Sequence, residues 1–301
     1  MSPVLSDLVK MFSEHPALFL SFLGLIGLCV GSFLNVVILR YPARLEAETN
    51  QAVLEAVREI DPENADKINI GGPLPPDLVF HRSHCPKCGH QIRWFENIPV
   101  LSWLALRGKC SSCKSPISPQ YPLVEALTAG LFVLAGVLFG PSAFLPPLLV
   151  LIALLVGMSG IDWKIHILPD EMVYPSLWIG LLVAASGFGL VPVKTAVFGA
   201  FAGYMTLWCA FWLFRIFTGK DGMGRGDFKL LAVFGAWAGM SSILPVLLVA
   251  CLVGVLAWLV LKMFGRASRE VPMAFGPCIA LAGLGEIFWN GWLWNLFGVA
   301  V

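Results

Sequence analysis

The sequence predicts an all-α polytopic membrane protein of about eight transmembrane helices. A small cytoplasmic zinc-ribbon-like domain is expected between spans one and two. Three observations carry this reading. The 301 residues are 57% hydrophobic and only 13% charged, about half the charged fraction of soluble domains. Several apolar runs reach the roughly 18 residues that a spanning helix needs. The one sizeable polar interval, residues 40–121, holds two Cys-x-x-Cys pairs. The net charge of +1 says little about partners, and no feature points to nucleic acid.

The spans are expected near 17–39, 122–140, 143–161, 172–191, 195–217, 228–241, 243–262 and 274–300. The Ala17–Leu39 run is too long for a signal-peptide core and is followed by basic residues, so it reads as a span that is kept. The sixth span is short, which suits a tilted or partly immersed helix. The eighth is interrupted by Glu286 and Asn290, and its Phe288, Trp289, Trp292, Trp294 and Phe297 suit an interfacial belt. Within the polar interval, Leu45–Ile60 has near-helical apolar spacing, and the prolines of 73–76 break it.

Lysine and arginine set the orientation. With the N-terminus outside, only Lys10 and Lys194 of the 20 basic residues fall on the outer side. The reverse topology would export the other 18, against the positive-inside rule. The cysteine segment, the loop after span three and the loop before span six are thus all expected in the cytoplasm.

Two acids stand out in that frame. Asp162 ends span three in Ile161-Asp162-Trp163-Lys164, and Asp227 opens span six in Gly224-Arg225-Gly226-Asp227. An acid at the edge of a span is costly and is a functional candidate by default. Two carboxylates brought together cannot both ionise cheaply, so one keeps its proton. Such a pair offers a base to activate water and an acid to protonate a leaving group. Gly222, Gly224 and Gly226 are expected to leave the backbone free for positive φ and close substrate approach. Read from position alone, the acids are more often ordinary loop residues near headgroups. Asp170, after Pro169, is the rival for the first position and also fits the start of span four as a cap. Asp170 and Lys229 are secondary candidates for substrate contact or dyad tuning.

Cys85-Pro-Lys-Cys88 and Cys110-Ser-Ser-Cys113, separated by 21 residues, have the spacing of a four-thiolate tetrahedral zinc site. A closed four-sulfur site leaves no open position, so the Zn2+ is expected to be structural. A redox role is the minor alternative in a reducing compartment. His81, His84 and His90 are possible substitute ligands, and read more simply as exposed loop histidines. Cys29, Cys209, Cys251 and Cys278 sit singly in apolar runs as small buried hydrophobes.

The run Gly224-Arg225-Gly226-Asp227-Phe228-Lys229-Leu230-Leu231 and the run from Asp162 to Leu168-Pro169-Asp170 resemble the two motifs of the type IV prepilin peptidases, which are membrane aspartic proteases. Gly31-Ser32-Phe33-Leu34-Asn35 with Arg40-Tyr41-Pro42 is similar to their N-terminal motif. Phe95–Trp103 and Ile117–Glu125 are similar to the segments around the second cysteine pair of the bifunctional members. The resemblance implies Asp162 and Asp227 as catalytic aspartates, with Gly224 and Gly226 in support. It also implies cleavage of the basic leader of type IV prepilins or type II secretion pseudopilins after a glycine. A second activity follows from the same likeness: N-methylation of the new terminus with S-adenosylmethionine as donor. No Rossmann-type fingerprint accompanies it. Glu96, Asn97, Gly108 and Glu125 are candidate contributors. On their own residues, Glu96 and Asn97 equally read as braces of the zinc loop, and Glu125 as a first-turn acid favouring the helix dipole. Asn35 reads as a polar contact between spans.

The implied organisation is a first span at 1–39, a cytoplasmic zinc-binding and N-methyltransferase part at 40–121, and a transmembrane aspartic protease part at 122–301. It would sit in a bacterial inner membrane, in contact with lipid and with pilus or secretion assembly machinery. The acidic insertion 43–79 carries no motif and reads as a linker or a partner contact. Two rivals stand beside the enzyme. A proton- or ion-coupled transporter predicts acids near the bilayer midplane, whereas here they cluster at one face. A zinc-ribbon scaffold explains the cysteines and leaves the aspartates without a role.

Overall fold

The computed structural model describes residues 3–61, 83–220, 222–263 and 273–289. The prolines at 73–76, His81, Asp221 and the 290–300 end of the eighth predicted span lie outside the described residues.

The helices are α1 (Pro3–Glu14), α2 (Pro16–Ile60), α3 (Leu101–Ala105), α4 (Gln120–Phe139), α5 (Leu145–Ile165), α6 (Asp170–Ala185), α7 (Val193–Thr218), α8 (Arg225–Ala238), α9 (Ile243–Met263) and α10 (Gly276–Phe288). The first seven predicted spans each overlap one helix, α2 and α4–α9, and the described start of the eighth overlaps α10. Among the described residues, five segments are long and apolar enough to cross a membrane: Pro16–Ile60, Gln120–Phe139, Leu145–Ile165, Val193–Thr218 and Met240–Met263. The outward side of α9 exposes Leu248, Leu252, Val255, Leu256 and Leu259, a continuous apolar face that suits lipid rather than water. The first span and the predicted 45–60 helix are one element, α2, which runs through Pro42.

The chain divides into two compact units, Met1–Gly27 with Thr128–Val301, and Leu28–Leu127. In the first, α8 is the central element. It packs on α6, α7 and α10, and both its faces are apolar and buried, as in a helix enclosed by others. Small residues let α7 approach it. A Cβ at Gly203 would stand 2.7 Å from the Leu231 carbonyl oxygen, the close backbone contact typical of membrane helices. The Trp237 indole N–H donates to the Ser176 carbonyl at 2.9 Å, tying α8 to α6. This packing fixes the start of α8, and therefore Asp227.

In the second unit, Asn35 on α2 donates through Nδ2 to the Tyr121 carbonyl of α4 at 3.0 Å. This is the polar interhelical contact expected from the sequence.

Candidate active site and metal centre

Asp162 stands in the last turn of α5. The helix stops because His166 takes a left-handed conformation (φ 57°) and its N–H closes back on the Asp162 carbonyl at 2.9 Å. Pro169 then caps α6 in an extended conformation. Asp170 is the first residue of α6, and its side chain does not cap the helix. Both its carboxylate oxygens instead accept from Lys229 Nζ, at 2.6 and 2.8 Å. Lys229 also lies 5.2 Å from the Tyr174 ring centroid. Asp227 occupies the first turn of α8.

Asp162 and Asp227 thus come from separate helices and line one cavity of about 650 Å³. Both are buried, at 5% and 8% exposure. Asp170, Lys229, Gly224 and Gly226 line the same cavity. Two enclosed carboxyls sharing one site can divide base and acid roles between them.

The glycines act differently from expectation. Gly224 has φ −72° and ψ 141°, and none of Gly222, Gly224 and Gly226 has positive φ. What matters is room. A Cβ on Gly226 would lie 2.9 Å from Leu168 Cβ, and one on Gly222 would lie 2.7 Å from the Phe214 ring. At Gly224 the nearest atom is Asp227 Oδ2, at an ordinary 3.7 Å. Gly226 therefore lets the start of α8 press against the turn that follows Asp162.

Sequence reasoning missed the third wall. Met273, Ala274 and Phe275 line the cavity, and the Gly276 N–H donates to Asp162 Oδ2 at 3.0 Å. A backbone donor carries no side-chain signature. The available signal was Gly276-Pro277 at the start of an apolar run, a helix N-terminus.

The four cysteines converge as predicted. The sulfurs of Cys85, Cys88, Cys110 and Cys113 all lie within 4.8 Å of one another. Cys85 Sγ and Cys113 Sγ are 3.8 Å apart, and no disulfide joins them. Metal–sulfur bonds of about 2.3 Å in a tetrahedron place the sulfurs about 3.8 Å apart, so the donor set fits a metal ion. The two knuckles repeat one geometry. The Cys85 N–H bonds to the His90 carbonyl at 2.8 Å, and the Cys110 N–H to the Ser115 carbonyl at 2.8 Å. Gly89 and Lys114, at equivalent positions, both have positive φ. Backbone N–H groups of Cys88 and then Lys87 pull Cys85 down to about 6. The Ser115 hydroxyl lowers Cys113. The His90 backbone pulls Cys88 down, but burial and the neighbouring thiols outweigh it and push Cys88 up to about 11. Clustered thiols divide their protons in this way until a cation joins them.

Glu96, Gly108 and Glu125 brace this loop. Glu96 accepts from the Arg93 N–H at 2.9 Å and meets His90 Nε2 at 3.3 Å. It is held down at about 2, first by the Arg93 N–H and then by the Ser111 hydroxyl. His90 is engaged by Glu96 and by the Ser111 hydroxyl at 3.2 Å. Gly108 (φ 66°) sits against the Trp103 ring, where a Cβ would approach to 3.0 Å. Glu125 is not a first-turn acid, since α4 opens at Gln120 with no acid in its first turn. It accepts instead from the Val100 N–H at 2.7 Å, anchoring a residue with φ 60°. Asn97 is exposed.

Residues 25–139 match the model of the bacterial peptidase A24 N-terminal domain, and residues 149–259 match that of the type IV leader peptidase family. A prepilin leader peptidase/N-methyltransferase of Xanthomonas campestris pv. campestris is 44% identical over 285 residues, 94% of this chain and 95% of its own. Proteins of the same name from Pseudomonas aeruginosa (43% identical over 285 residues, 94% of each chain) and Aeromonas hydrophila (44% over 283 residues, 94% and 95%) are similarly close. No solved structure matches the chain.

Proposed function

Because the chain belongs to the type IV leader peptidase family, we propose that it is a bifunctional membrane enzyme that cleaves prepilins or type II secretion pseudopilins and then N-methylates them. Asp162 and Asp227 are the catalytic dyad. The observation that carries this is the placement of two buried carboxyls from separate helices in one cavity. One takes a proton from water as it attacks the scissile carbonyl, and the other protonates the leaving amine. Cleavage falls after a glycine, between a basic leader in the cytoplasm and an apolar segment in the membrane. The transporter alternative finds no support among the relatives.

The enzyme lies in the bacterial inner membrane. The charge bias supports an outside N-terminus, with the dyad and the cysteine loop at the cytoplasmic face. Residues 122–301 form the protease part. Residues 40–121 form the metal-binding part with the methyltransferase role, and 1–39 is the first span. Four thiolates with no open position suit structural Zn2+, which would fold a loop that has little core of its own. S-adenosylmethionine, when bound, supplies the electrophilic methyl group for the new amine. On this chain's side, Glu96, Gly108 and Glu125 shape the loop, and Asn97 offers the exposed polar group among the four candidates. Gly224, Gly226, Asp170 and Lys229 support the dyad or meet the substrate. Lipid surrounds the apolar faces, and pilus or secretion machinery is the expected source of substrate.

Cleavage of a purified model prepilin tests the protease half. Asp162→Asn or Asp227→Asn in folded protein should abolish it, and retained full activity in either would remove the dyad. Labelled methyl transfer to pre-cleaved substrate tests the second half, and its absence with intact protein would remove that activity.

A further inference from the structure

Asp162 has a second relationship that the dyad does not explain. The first turn of α10 needs acceptors for its N–H groups. The N–H groups of Cys278 and Ile279 bond to the Phe275 carbonyl, at 3.0 and 3.1 Å, and Pro277 has none. The Gly276 N–H is left, and it donates to Asp162 Oδ2 at 3.0 Å across 114 residues of sequence. The carboxylate therefore caps a helix from another part of the chain. A helix N-terminus favours a negative charge. The contact also requires glycine, because a Cβ at position 276 would stand 2.8 Å from Asp162 Oδ2 and 3.0 Å from Leu168 Cδ2. Among the described residues no donor of this kind is found at the Asp227 carboxyl, which is buried in the same cavity.

We infer that Gly276 is a positioning residue whose backbone N–H holds Asp162 as the ionised base of the pair and leaves the shared proton on Asp227. The inference rests on the dyad reading above and assigns its two roles. Asp162 takes a proton from water as the water oxygen bonds to the carbonyl carbon. Asp227 gives its proton to the leaving nitrogen as the carbon–nitrogen bond breaks. The pair again holds one proton, which returns from Asp162 to Asp227 before the next turnover. Water is the one co-reactant. The other titratable groups around Asp162 are His166 at the end of α5, Asp170 on α6, Arg225 and Lys229 on α8, and Cys278 on α10.

The test uses the full-length protein and a model prepilin. Replacing the Phe275–Gly276 amide by an ester, through glycolic acid at position 276, removes the N–H and adds no atom. The acidic limb of the kcat–pH profile should move up by about one unit, because the base is then protonated at higher pH, and kcat at pH values below the limb should fall about tenfold with KM little changed. Gly276→Ala keeps the N–H but pushes the carboxylate away, and should also lower kcat and raise the acidic limb. An ester variant with wild-type kcat and an unmoved limb overturns the inference. If the ester variant does not fold, an unmoved limb and wild-type kcat in Gly276→Ala overturn it equally. Asp162→Asn separates the two levels. Should it cleave at full rate, the dyad itself fails; should it be inactive while the ester variant behaves as wild type, only the Gly276 assignment fails.

Discussion

Gly226→Ala tests whether the approach of α8 to the turn after Asp162 sets the geometry of the pair. The new Cβ would lie 2.9 Å from Leu168 Cβ and 3.2 Å from Leu168 Cδ1. Carbon atoms in contact prefer about 3.5–4.0 Å, so the two segments must separate by roughly 0.6–1 Å. Overpacking of this kind costs about 1–3 kcal/mol of stability, which the folded enzyme should survive. A misplacement near 1 Å costs about 100-fold in rate, so kcat for prepilin cleavage should fall by about that factor with KM little altered. Gly224→Ala is the internal control. Its Cβ meets nothing closer than 3.7 Å, and its φ and ψ suit alanine, so its thermal stability should stay within about 0.5 kcal/mol of wild type. Initial rates on a purified model prepilin and thermal unfolding read the two effects. Full activity in Gly226→Ala, or an equal loss of stability in Gly224→Ala, would refute the steric reasoning.

Three further outcomes are expected. Cys110→Ser should lower bound metal, measured by elemental analysis, and open residues 85–113 to protease, whereas wild-type metal content would contradict a four-thiolate site. The Lys229–Asp170 pair is partly exposed, so a double-mutant cycle on thermal stability should give a coupling of no more than about 1 kcal/mol; a coupling several times larger would mean that the pair is shielded from solvent. Glu125→Ala should free the Val100 amide, at a cost of about 1.5–3 kcal/mol, and Glu125→Gln should restore most of the protection; hydrogen exchange at Val100 reads both, and unchanged exchange in Glu125→Ala would remove the anchor.

How much was legible depended on whether a feature lives in side-chain chemistry or in backbone packing. Asp162 and Asp227 stand out because an acid beside an apolar run is unusual wherever the fold puts it. The cysteines stand out because C-x-x-C spacing constrains its own loop, and the structure gathers all four sulfurs. Eight apolar runs were visible because length and hydropathy are local. The purpose of the glycines was not. Their value at positions 222 and 226 depends on Phe214 and Leu168, neighbours that only the folded chain supplies. Glu125 was hidden for the same reason, since its partner is a backbone N–H 25 residues away. Gly276 was hidden twice over, as a residue without a side chain whose partner lies 114 positions earlier.

The most direct test of the central claim presents one pilin substrate in two forms, intact and pre-cleaved, to wild type, Asp162→Asn and Asp227→Asn, with the substrate N-terminus read by mass spectrometry. Wild type should cleave and methylate, and both folded variants should leave intact substrate uncut yet methylate the pre-cleaved form. Cleavage of intact substrate at the wild-type rate by either variant would contradict the claim.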